Sequence, residues 1–210
     1  MSEDKISWQG KIIAVQPRIR LTRSFDQRNH SYLGYSLRID GKIGGETREF
    51  SVGISKSAQE KHAFQAGFEA SGECMPVAEP RMESVEFYKA SKLQVLNSSP
   101  AVNSEPPPWL VHPPALEIYR ERGHRRLADR TYDTQCTTCI WGCRMAVEMI
   151  IDQWNPRQKR YRYETFCYGP KSCGFYKSGP TRKVTGRKGM SWEEEDWIDE
   201  DATSHRGPDD

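Results

Sequence analysis

The sequence predicts a mixed fold, with an N-terminal five-stranded β-barrel carrying one short helix and a small α-helical C-terminal domain. Three observations predict it. Apolar and polar residues alternate through most of the first 97 positions, a proline- and serine-rich stretch interrupts that pattern, and five of the six cysteines then fall between Cys136 and Cys173. The expected division is residues 1–97 for the barrel, 98–113 for a linker, 114–189 for a basic cysteine-rich module and 190–210 for an acidic tail.

From Lys11 to Arg23, Ile13, Val15, Ile19 and Leu21 share one face and Arg18, Arg20 and Thr22 the other, the two-residue period of a half-buried strand. The polar turn Ser24–Ser31 leads to a second strand with Leu33, Tyr35, Leu37 and Ile39 on one side, closed by the turn pair Asp40-Gly41. A third strand, Glu49–Ile54, follows Gly44-Gly45. Ser57, with Glu60 three residues on, opens a helix to Gln65 that Gly67 ends. Two further strands are expected around Gly72–Ala78 and Val85–Val95.

Three strands, a helix and two strands between residues 6 and 96 resemble the OB-fold, the five-stranded barrel whose helix lies between its third and fourth strands. The likeness rests on element order alone. It implies an oligonucleotide held across an exposed strand face and its loops, with Arg18, Arg20, Arg23, Tyr32 and Arg38 supplying cations and a stacking ring. A solvated strand face is the plain alternative for these arginines.

Asn97 to Pro108 has few core-forming residues and reads as a semi-extended linker, after which Trp109, Leu110 and Val111 could dock on a domain. Pro114 to Arg130 suits a proline-opened helix dense in arginine, including Arg125 and Arg126. Gly123 interrupts it.

The cysteine spacing is Cys136-x2-Cys139-x3-Cys143-x23-Cys167-x5-Cys173. Two short loops each bearing a thiol pair, separated by a spacer, match the tetrahedral need of zinc and make the module metal-stabilised. Cys143 is a fifth candidate for four positions. It opens an apparent helix whose apolar face runs Cys143, Val147, Ile150, Ile151, Trp154, so it packs in the core or replaces another ligand. Four thiolates also hold an iron–sulfur cluster, the alternative cofactor. Cys74 stands alone and reads as a small buried hydrophobe.

Residues 1–113 carry 14 Lys+Arg against 13 Asp+Glu, residues 114–189 carry 16 against 7, and residues 190–210 carry 1 against 9. The basic middle holds Arg157, Lys159, Arg160, Tyr161 and Arg162, where cations and rings interleave, and the glycine-rich loop with Arg182, Lys183, Arg187 and Lys188. Such stretches grip phosphates and stack on exposed bases. The acidic tail, with Trp192, Trp197 and Ile198 among its carboxylates, could recruit a protein partner or cover the basic module.

No apolar run approaches the roughly 18 residues that cross a bilayer, and Met1-Ser2-Glu3-Asp4-Lys5 lacks a signal-peptide pattern, so a cytoplasmic protein without membrane contact is expected. Phosphate-binding glycine loops, nucleophile elbows and zinc-protease helices are absent, which leans against an enzyme. The leading expectation is a binder of RNA or single-stranded DNA. Its rivals are a protein-interaction adaptor with a structural zinc, and an iron–sulfur enzyme or redox sensor.

Overall fold

The computed structural model describes residues 5–24, 27–99, 112–152, 154–194 and 197–207. Trp109, Leu110, Val111 and most of the expected linker lie outside those residues.

The chain opens with β1 (Ile6–Arg23), β2 (Arg28–Ile43) and β3 (Glu46–Ile54). The two-residue period of the sequence becomes burial here, except that a register shift between Ile12 and Ala14 of β1 buries Ile12 in place of the expected Ile13. Trp8, Ile12, Val15, Ile19 and Leu21 of β1 are buried in the same cluster as Tyr35, Leu37, Ile39, Phe50 and Val52. β2 runs straight through Asp40-Gly41, and the tight turn falls instead at Gly44-Gly45, whose φ values of 57° and 94° suit glycine.

Helix α1 (Lys56–His62) is capped by Ser55, whose hydroxyl accepts the Ala58 N–H at 3.1 Å, two residues before the cap expected from sequence. β4 (Glu69–Pro76) and β5 (Phe87–Asn97) complete a ring in which β1 pairs β2, β2 pairs β3, β3 meets β5 in parallel, β5 pairs β4, and β4 returns to β1.

The expected α-helical C-terminal domain is not what forms. Helix α2 spans only Leu116–Arg122 and stops at Gly123, and short β6 (Arg125–Arg126) follows. The stretch read as a helix from Cys143 to Trp154 is instead β7 (Gly142–Ile150), paired antiparallel with β8 (Lys159–Cys167). Cys143 and Val147 are four apart, an even number, so a strand puts them on one face as readily as a helix does. Long-range pairing decides: Arg20–Arg23 of β1 take Ala146–Met149 of β7 in parallel register. The sheet thus continues from the barrel through β7 and β8 to β6, and Cys143, Met145, Val147, Met149 and Phe166 share one core with the barrel residues. The metal-centred part of that expectation also finds no formed site, for among the described residues no three His, Cys, Asp or Glu side chains are gathered as metal ligands are.

A helical turn, α3 (Asp129–Thr131), runs into a wide turn at Tyr132–Cys136. The last segment is folded. β9 (Arg182–Thr185) pairs β10 (Ser191–Glu194), and α4 (Trp197–Ala202) buries Ile198 and Asp199. No helix among the described residues is long and apolar enough to cross a membrane.

Candidate nucleic-acid interface

Strand parity sorts the basic residues into two populations. Side chains of Arg23, Glu164 and Arg182 lie on the enclosed side of the β1–β7–β8 sheet, where Glu164 and Glu194 gather arginines. Arg23 is within 3.2 Å of Glu164 Oε2 and 2.6 Å of Glu194 Oε2, and it is fully buried. Its N–O distances are those of ion pairs. Arg28 meets Glu194 Oε1 at 2.5 Å, Arg182 meets Glu164 Oε2 at 2.8 Å, and Arg162 meets Glu164 Oε1 at 2.6 Å. Buried Arg126 takes Asp199 Oδ2 at 3.1 Å. Arg23, Arg126 and Arg182 therefore serve the interior, because a buried, carboxylate-paired guanidinium cannot also reach a phosphate.

The outer population begins at the β7–β8 tip. The Asp152 carboxylate accepts the Trp154 N–H at 3.0 Å, and Asn155 N–H reaches Asp152 O at 3.0 Å. This tight turn, ahead of Pro156, leaves the Trp154 indole 85% exposed. Arg157, Lys159 and Arg160 follow it in the chain and are exposed, Lys159 on the face of Tyr161 with its Nζ 3.0 Å from Glu148 and Arg160 on the opposite face at the end of β8.

Along the outer face of β8 the aromatic rings carry guanidinium lids. Arg81 lies 4.9 Å from the Tyr161 ring and Arg144 5.0 Å from the Tyr163 ring. The Tyr163 hydroxyl lies 2.5 Å from Pro80 O and 2.9 Å from Glu83 O, fixing the ring by donating to this pair. Arg18 and Arg20 share the face, and both pair with the single Glu83, at 2.7 and 2.5 Å, so one carboxylate offsets one of the two positive charges.

Arg144 also borders a groove of about 480 Å³ on the outside of the barrel, walled by Ser36 and Arg38 of β2, Glu49 and Ser51 of β3, and Glu86 of the β4–β5 loop. Arg38 is paired with Glu49 at 2.6 Å. Of the remaining sequence candidates, Arg187 reaches the tip and the others lie elsewhere. Tyr32 sits under Arg120 at 4.8 Å, Arg125 stacks 3.8 Å from Tyr176, Lys183 pairs Glu193 at 3.0 Å, Arg187 approaches Asp152 at 3.6 Å, and Lys188 is exposed.

The cysteines separate likewise. Cys136, Cys139 and Cys167 share a small buried cluster with Leu127 and Tyr132, and half-buried Cys173 lies within electrostatic reach of Cys136 and Cys167. Cys143 is fully buried on the barrel side, its thiol donating to Pro17 O at 3.4 Å. Burial pushes the Cys136 and Cys74 thiols up to about 12. All six are free of disulfides.

Arg144 and Arg81 were not singled out by the sequence, Tyr163 closes its interleaved basic and aromatic stretch from Asn155, and the exposure of Trp154 was not expected. The helical period absorbed Trp154 as a core residue, whereas the adjoining Asn-Pro turn signal pointed to an exposed tip. Comparison with family models, curated proteins and solved structures gives no match.

Proposed function

We propose that the protein binds single-stranded nucleic acid, RNA or DNA, along the outer face of β8 and the β7–β8 tip, with the barrel groove at one end of the path. The exposed Trp154 indole at the β7–β8 tip, followed within six residues by exposed Arg157, Lys159 and Arg160, carries this reading. An exposed ring is a stacking platform for an unpaired base, and adjoining cations take the flanking phosphates. Tyr161 and Tyr163 extend the same alternation toward Arg144. Single strands are favoured because a duplex keeps its bases stacked on each other.

We read the five-stranded ring as OB-type, and the groove position supports this, since such barrels take ligands on the second and third strands and the loop between the fourth and fifth. Six free thiols favour the reducing cytoplasm.

Anisotropy of labelled oligo-dT and oligo-U tests the proposal directly. Wild-type protein is expected to bind both more tightly than a duplex of equal length, and Trp154→Ala to weaken binding by about 1–3 kcal/mol. Equal affinities for wild type and variant would remove the hairpin from the interface.

A further inference from the structure

We infer that Cys136, Cys139, Cys167 and Cys173 hold one zinc ion as a tetrathiolate centre, with Cys143 excluded. This does not depend on nucleic-acid binding. Each half of the site presents a thiol in the same way. In the first turn Cys139 N–H reaches Cys136 O at 3.1 Å, and Trp141 N–H then donates to Cys139 Sγ at 3.4 Å. In the second, Gly169 N–H donates to Cys167 Sγ at 3.3 Å, and the chain turns back through Cys173 N–H to Pro170 O at 3.2 Å. Both sulfurs thus accept an N–H from the residue two positions later, so the two turns present their thiols with matching backbone geometry.

Register brings the halves together. Gly142 pairs Cys167 across β7 and β8, and no side chain fits at Gly142, where a Cβ would stand 2.6 Å from Cys136 O. One residue on, Cys143 pairs Phe166 and alternation turns it to the other side, into the main core. Strand parity therefore resolves five thiols into four plus one, which helical spacing could not.

Cys136, Cys139 and Cys167 share one cluster and Cys173 lies within electrostatic reach of it, but the thiols do not converge on one point. No disulfide restrains them, and rotation about Cα–Cβ is the change an ion with Zn–S distances of about 2.3 Å would impose. Three thiols packed directly against Leu127 and Tyr132 suit a single tetrahedral ion better than a polynuclear iron–sulfur cluster. The centre would be tied to the barrel by Gln16, whose Nε2 donates to Cys136 O at 2.8 Å and Cys139 O at 2.7 Å.

Metal analysis of the full chain, purified without chelators, should find about one zinc per chain. Cobalt exchange should give the ligand-field and charge-transfer bands of tetrahedral tetrathiolate Co(II), and a mercurial titration should release the zinc as four thiols react. Cys143→Ala should retain the metal, and Cys167→Ala or Cys173→Ala should lose it. Folded wild-type protein without stoichiometric zinc, iron in its place, or loss of metal in Cys143→Ala with retention in Cys173→Ala would each overturn the assignment. The wild-type measurements decide even if a cysteine variant fails to fold.

Discussion

Gln16 joins the barrel to the cysteine turns through three buried hydrogen bonds, two given to Cys136 O and Cys139 O and one accepted from the Tyr132 hydroxyl at 2.8 Å. Gln16→Leu keeps the bulk and strands three polar groups, each costing about 1–3 kcal/mol. A loss of about 3 kcal/mol or more in urea unfolding is expected. His30 and His124, rings 4.8 Å apart, set an acid limit. Burial, then Arg28 and Arg23, hold His30 down at about 4, and burial and His30 hold His124 well below the usual range. The unfolded chain therefore takes up protons first, so stability is full above about pH 6.5 and falls toward pH 4. Burial raises the Glu194 carboxyl, but Arg23 and Arg28 outweigh it and keep it below the usual range, adding loss of the same sign. His30 alone accounts for up to about 3 kcal/mol across that window, and His30→Gln should flatten the denaturation midpoint against pH.

At the scale of elements, the β7–β8 hairpin separates binding from stability. Trp154 is 85% exposed, so Trp154→Ala should shift unfolding by no more than about 0.5 kcal/mol while it weakens oligonucleotide binding. The last segment behaves oppositely. Buried Glu194 pairs with Arg23 and Arg28, buried Asp199 pairs with Arg126, and Ile198 is buried, so removing residues 191–210 takes away the carboxylate of buried Arg126 and leaves buried Arg23 with Glu164 alone. Expected results are rapid proteolysis and a lowered melting temperature, in place of a folded protein with changed affinity. Acidic composition pointed to an appendage, because composition does not show which carboxylates meet buried arginines. β7 was misread for a related reason: its apolar spacing fits both periods, and its partners β1 and β8 are remote or downstream in sequence.

Across the whole molecule, the barrel strands were legible because each is half-buried and alternates, and their hairpin partners are close in sequence. The cysteine spacing was legible, and the burial of Cys143 in the barrel core was not, since it depends on strand parity. The arginines were hardest to read, because charge counts treat buried Arg23 and exposed Arg157 alike. The central claim is that exposed cations and rings of β7–β8 hold single-stranded nucleic acid. Affinity for oligo-U measured against salt tests it most directly. Wild type should give a steep linear fall of log K with log salt, and Arg157→Ala with Arg160→Ala should make that slope shallower by roughly 1.4, at about 0.7 per phosphate contact. A wild-type slope near zero, or one unchanged in the double variant, would contradict it.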